Sequence, residues 1–425
     1  MDTSIFERRE SSVRSYCRKY PAVFSAAKGS YLVDEDGRRY VDFLCGAGAV
    51  NYGHNPPRLK ERLIGHLAGD GLVQALDLHT VEKRRFLERF EAEVLAPRGL
   101  PHRVQFTGPT GANAVEAALK IARKATGRTT IAAFTGGYHG MSLGALAATG
   151  NAMKRRGAGV PLGDVVRLPY DGYFGPGIDT AALAREMILD PASGVDAPAA
   201  FLVEPIQGEG GVNVASGSWL RAIAALAREV GALLIVDDIQ SGCGRSGRFF
   251  GFDGLDVAPD VICLSKSLSG YGLPMSVVLV APEFDGWKPG EHNGTFRGST
   301  PAFVTAAAAL DYWADAAFLA RVAANAATLD ARLPAIVAAL PPGACHARGR
   351  GLLRGLAFEG PDDAEAVSRE AFACGLVVET CGGHGEVVKL MPQIDAEAAV
   401  LEEGLDILAR AVRKAPAASG HLRAA

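Results

Sequence analysis

Short, continuous apolar runs recur through the middle of the chain at 131–134 (IAAF), 201–204 (FLVE), 233–236 (LLIV), 261–264 (VICL) and 277–280 (VVLV). They do not alternate with polar residues, which predicts strands covered on both faces of a sheet. Between them, apolar residues recur at helical spacing. Val115, Ala118, Leu119 and Ala122 share one face of 111–126, and Leu220, Ile223, Ala227 and Val230 repeat the stripe in 218–230 before Gly231 ends it. Alternating strands and helices of this kind predict an α/β fold with a mainly parallel central sheet. The two ends read differently. SYLVDEDGRRYVDF, over 30–43, predicts a hairpin turning at Asp36-Gly37. The last hundred residues predict a helix at 365–374, a strand pair near 376–391 and an amphipathic helix from about 395 to 413. The residues after Lys414 read as a frayed tail. The expected organisation is a large domain over 61–319 and a smaller α/β domain built from both termini, 1–60 and 320–425.

Composition narrows the partners. With 425 residues and 48% hydrophobic content, the chain suits two or three globular domains. Forty-four Lys+Arg against 47 Asp+Glu give a net charge of -3, neither a basic field for nucleic acid nor an acidic tail. No apolar stretch approaches the ~20 residues that cross a bilayer, and charges stand where a signal peptide needs an apolar core. The expectation is a cytoplasmic protein with neither membrane nor nucleic-acid partners. Seven scattered cysteines without a CxxC, and nine histidines without an HExxH, indicate no disulfide framework and no metal site.

Candidate chemistry lies where the predicted strands end, because open α/β sheets bind ligands beyond their carboxyl ends. Glu204 precedes PIQGEGG, Asp237-Asp238 precede IQSGCGRSG, and Lys266 follows VICLS. The segment 242–247 matches GxGxxG, but FFGF follows where a dinucleotide motif needs a helix, so it reads as a glycine-rich turn. Adjacent strand-end aspartates point to opposite faces, one toward a site and one toward structure. Asp237, sheltered behind LLIV, needs a fixed cationic partner, and a protonated heteroaromatic nitrogen would serve. Thr107–Asn113 opens the helix 111–126. It is either a plain N-cap by Thr110 or Asn113, or an anion seat on free backbone N–H groups. With Tyr138-His139-Gly140 after the strand at 131–134, these are the parts that hold pyridoxal 5′-phosphate: lysine, aspartate, aromatic ring and phosphate seat.

Over essentially its whole length the chain resembles the class III (ω-) aminotransferases of fold type I. The resemblance is carried by FERRESSVRSYCRKYPAVF, DFLCGAGAVNYGHN, RVQFTGPTGANAVEAALKIARK, GMSLGALAATGN, VDDIQSGCGRSG, LSKSLSGYGLP and WKPGEHNGTFRG. It implies Lys266 as the cofactor-anchoring and catalytic lysine and Asp237 as partner of the pyridine nitrogen. Tyr138 and His139 would lie against the ring, Gln240 at its hydroxyl, and Thr110, Gly111 and Ala112 around the phosphate. Thr295 would reach the phosphate from a neighbouring subunit, implying a homodimer or larger assembly. Glu209 matches the glutamate that pairs with a substrate-binding arginine, with Lys389 and Arg297 as candidate cations. Two positions depart from the pattern: Asp238 stands where most relatives have Glu, and Lys389 where many have Arg. The implied activity moves the terminal amine of a short diamino acid, or of another ω-amine such as 4-aminobutyrate or acetylornithine, to 2-oxoglutarate. A glutamate-semialdehyde-type aminomutase is the alternative.

Overall fold

A computed structural model describes residues 2–419. Its centre is a seven-stranded sheet, whose strands are numbered here in chain order. They are β1 (Arg103–Phe106), β2 (Ile131–Phe134), β3 (Val165–Leu168), β4 (Ala200–Val203), β5 (Leu233–Asp237), β6 (Val261–Leu264) and β7 (Val277–Val280). The spatial order is β1-β7-β6-β5-β4-β2-β3. Only β7 runs against the rest, pairing antiparallel with both β6 and β1. The five apolar runs became the five inner strands. β1 and β3, which no run announced, are the two edges; each carries a polar residue (RVQF, VVRL) and is only partly buried.

Helix Gly111–Thr126 buries Val115, Ala118, Leu119 and Ala122 completely, and helix Gly217–Glu229 buries Leu220, Ile223 and Ala227. Covering both faces in this way forces the inner strands to be apolar throughout.

The termini meet in one sheet. Hairpin strands Tyr31–Asp34 and Arg39–Asp42 pair antiparallel, Phe24–Lys28 adds to the outside, and Leu376–Val377 joins Arg39–Asp42 in parallel. A second small sheet holds Cys345–Arg350, Leu353–Phe358, Val387–Leu390 and Glu379–Cys381, all antiparallel. Here Glu379 stands directly opposite Lys389. The C-terminal helix runs Ala398–Ser419, so the expected fraying after Lys414 is corrected for 415–419. The alanines there have the highest intrinsic helix propensity. The rest of that tail, 420–425, lies outside the described residues.

The turn at 242–247 opens no helix. Its Arg245 is completely buried and donates to Asn51 Oδ1 through Nη2 at 2.6 Å and to the Leu352 carbonyl at 3.2 Å. The turn therefore works as a peg tying the large sheet to chain from both termini. Among the described residues no single helix is long and apolar enough to cross a membrane.

Candidate active site

A cavity of about 290 Å³ opens at the carboxyl ends of the parallel strands. Thr110, Gly111, Ala112, Tyr138, His139, Glu209, Asp237, Gln240 and Lys266 all line it, from five separate stretches of chain.

Lys266 follows β6 by one residue, in the left-handed region at φ +51°. That conformation costs a side-chain-bearing residue about 1–2 kcal/mol, so its surroundings must impose it. Ser265 donates to the Met275 carbonyl at 2.8 Å. Ser267 donates to the Gly48 carbonyl at 2.8 Å and accepts from the Asn51 N–H at 2.8 Å. The two serines act as pins, since their hydroxyls bond backbone from either side of the lysine. Burial pushes the Lys266 amine below its ordinary value; Lys389 adds to this, while Glu209 and Asp237 oppose it.

Asp237 ends β5 and is 4% exposed. Its Oδ2 lies 2.8 Å from His139 Nδ1, and its Oδ1 accepts from the Ile239 N–H at 3.2 Å. An ionised carboxylate only accepts, so His139 carries its proton on Nδ1. Asp238 turns the other way: Oδ1 accepts from Ser241 Oγ at 2.5 Å and Oδ2 from the Gly251 N–H at 2.8 Å. One aspartate faces the cavity and the other braces the glycine-rich turn.

Burial raises the Asp238 carboxyl to about 7. A carboxyl whose folded value exceeds its unfolded one contributes stability that is complete below about 4 and lost as pH rises through 7. In Asp238→Asn, which cannot titrate, melting temperature relative to the parent is therefore expected to improve between pH 4 and 7. The linked free energy is on the order of 4 kcal/mol. A gap that stays constant across that window would show that Asp238 does not titrate there.

Thr110 resolves the two readings of the helix start. Its N–H and hydroxyl both donate to Asn113 Oδ1, at 3.1 and 2.9 Å. The Gly111 and Ala112 N–H groups, in the first helical turn, have no intrahelical acceptor and border the cavity. The capping reading is met, and it leaves these two N–H groups free beside the cavity. Gly140, at φ +132°, lets the His139 turn approach this helix; a Cβ there would lie 2.7 Å from that of Ala112. The Tyr138 ring is half-buried, with the Lys154 ammonium 4.2 Å from its centroid.

Of the other lining residues, the sequence does not single out Met141 and Ile239, marks Gly140 only alongside Tyr138-His139, and marks Glu204 as a strand-end candidate without a role. Glu204 directly follows the all-apolar β4 and accepts from the Tyr138 N–H at 2.9 Å. Burial, then Asp237, holds its carboxyl well above the usual range. A carboxylate closing an apolar strand was the available signal. Ile239 lies two residues beyond Asp237.

Glu209 links the cavity to a buried charge cluster. Lys389 Nζ, completely buried, lies 2.5 Å from Glu209 Oε1 and 3.0 Å from Glu379 Oε1. Gln240 joins through Nε2, which donates to Glu209 at 3.3 Å. Burial alone would raise Glu209, but Lys389 and Lys266 outweigh it and hold the carboxyl at about 2. Burial would lower Lys389, but Glu209 and Glu379 keep it well above its ordinary value. Arg297 is elsewhere within this chain: it pairs with Asp77 at 2.8 Å and donates to the His292 carbonyl at 3.0 Å. Neither it nor Thr295 lines the cavity.

Lysine, aspartate, half-buried aromatic ring and free helix N–H groups around one cavity match the donor set that pyridoxal 5′-phosphate requires. The model of aminotransferase class III matches residues 14–412, and the chain belongs to this family of pyridoxal-phosphate enzymes. The diaminobutyrate–2-oxoglutarate transaminase of Nocardia farcinica is 52% identical over 412 residues, covering 97% of this chain and 94% of that protein. The enzyme of the same name from Streptomyces anulatus is also 52% identical, over 97% and 98%. The crystal structure of ornithine aminotransferase from Toxoplasma gondii ME49 superposes with a TM-score of 0.84 at 28% identity, over 96% of this chain and 94% of that one. A transaminase from the marine bacterium Virgibacillus, 20% identical, shares the fold with a TM-score of 0.88 over 98% and 99%.

Proposed function

We propose that this aminotransferase moves the terminal amine of L-2,4-diaminobutyrate to 2-oxoglutarate, giving L-aspartate 4-semialdehyde and L-glutamate. The observation that carries the choice of substrate is 52% identity, along nearly the whole chain, to transaminases named for that pair.

Pyridoxal 5′-phosphate, when bound, supplies an aldehyde that takes up the amine and a conjugated ring that stabilises negative charge on the adjacent carbon. Lys266 would hold it covalently, the Gly111 and Ala112 N–H groups its phosphate, and Gln240 its hydroxyl. Asp237, kept in orientation by His139, would hold its ring nitrogen protonated. Lys266, its amine lowered by burial, takes a proton from the substrate carbon and returns one. Glu209 lets one site serve two substrates. Paired with Lys389 it leaves the wall closed to anions; swung aside, it offers Lys389 to the α-carboxylate of 2-oxoglutarate.

Glu209→Ala is accordingly expected to slow the amine-donor half-reaction about tenfold more than the keto-acid half-reaction in single-turnover measurements. Equal damage to both would reduce Glu209 to a brace of its turn. The substrate itself is tested by a panel of amine donors with 2-oxoglutarate, following glutamate. 4-Aminobutyrate or acetylornithine as the preferred donor would replace diaminobutyrate, and turnover without any keto acid would indicate an aminomutase. 4-Amino-2-oxobutyrate as product would show that the α-amine reacts.

The working form is a homodimer in this reading. Leu72, Val73, Leu76, Leu78 and Phe296 are exposed on neighbouring segments, which Ala75 and Gly298 join by a 3.0 Å backbone hydrogen bond. An apolar patch of this kind suits burial against a second copy, bringing Thr295 to the partner's phosphate seat. The cysteines, with no disulfide among the described residues, fit a reducing cytoplasm.

A further inference from the structure

Lys389 has two carboxylates, where a switch needs only one. Glu379 reaches it across the strand pair, as the residue directly opposite. Glu379 is 4% exposed, and Tyr16 Oη donates to its Oε2 at 3.3 Å. It does not line the cavity; of the three charged groups, Glu209, whose side chain is 22% exposed, is the one that does. Two carboxylates around one ammonium leave a net charge of minus one behind the substrate-binding wall.

We propose that Glu379 is a positioning residue that sets this charge, and thereby selects amine donors carrying an α-ammonium group. The inference rests on the diaminobutyrate reading and deepens it. With Glu209 in place, the cluster is anionic and attracts the α-ammonium of the donor. When Glu209 swings aside, the α-carboxylate of 2-oxoglutarate takes its place, one negative charge for another, and Glu379 keeps Lys389 paired throughout. Lys266 and Lys154 also act on Glu209, but both are unchanged by a substitution at Glu379 and so do not shift this balance between donors. Without Glu379, the Glu209–Lys389 pair would be neutral. It would present nothing to the ammonium, and Lys389 would meet the keto acid with its full charge.

4-Aminobutyrate is diaminobutyrate without the α-amine, so the two donors isolate the effect. In Glu379→Gln, the ratio of kcat/KM for diaminobutyrate to that for 4-aminobutyrate is expected to fall about tenfold. KM for 2-oxoglutarate should hold or fall, and the cofactor absorbance should stay that of the parent. Glu379→Asp, which keeps the charge, should recover most of the ratio. An unchanged ratio in Glu379→Gln would overturn the proposal. If Glu379→Gln does not fold, competition on the parent enzyme decides: L-2-aminobutyrate should displace diaminobutyrate at least tenfold better than butyrate does, and equal inhibition would overturn the proposal. The two readings fail separately. If diaminobutyrate is a donor and the ratio does not move, only the role of Glu379 falls; if neither compound is a donor, the substrate reading falls and takes this one with it.

Discussion

Replacing Lys266 with alanine is expected to lower turnover by about three orders of magnitude or more, while the cofactor remains bound through its phosphate seat. Of the residues lining the cavity, Lys266 alone carries an amine. No neighbour can both anchor an aldehyde and shuttle a proton. The backbone makes the test clean. Lysine and alanine both bear a Cβ, so the strain at φ +51° stays, and the hydrogen bonds of Ser265 and Ser267 are untouched. The variant should fold as the parent does and show its defect in chemistry alone. Borohydride treatment of the parent enzyme should fix the cofactor to the peptide containing Lys266. Label on another lysine would overturn the assignment, and so would a Lys266→Ala variant within tenfold of the parent rate.

Burial decided which parts of this molecule were legible in the sequence. The five inner strands are covered on both faces, so each is an unbroken apolar run. β1 and β3 are edges with one side open, and their polar residues hid them. Site residues announced themselves where polarity broke such a run, as at Asp237 and Lys266. Glu204 broke one too, but its meaning depends on the Tyr138 N–H, which lies 66 positions away. The partner of Lys389 was harder still. Glu379 meets it only through the register of two short strands, and Tyr16 reaches Glu379 from 363 residues away. Spacing along the chain carries no trace of such pairs; only the fold brings them together. The left-handed backbone of Lys266 was equally hidden, because it is imposed by the residues around Ser265 and Ser267 and not by the lysine.

Asp237→Asn is expected to cost about a hundredfold or more in turnover, and Asp238→Asn much less, although the two residues are adjacent and both buried. The difference arises from the groups each carboxylate touches. Asp237 takes the His139 ring at 2.8 Å and borders the cavity with its remaining lone pairs. Only a full negative charge there keeps a pyridine nitrogen protonated, and a protonated ring is what stabilises charge on the reacting carbon. An amide of the same shape lacks that charge. It also sets an N–H or a weaker acceptor against His139, which disturbs the tautomer. The Asp238 carboxyl accepts from Ser241 and Gly251, away from the cavity, and an asparagine can still accept from one of them. The pH profile separates the cases further. Asp237→Asn should alter the cofactor absorbance and its dependence on pH, whereas Asp238→Asn should leave the spectrum alone and change the dependence of melting temperature on pH. Small and equal losses of turnover in the two variants would mean that neither carboxylate holds the ring nitrogen, and the orientation of β5 toward the cavity would no longer explain catalysis.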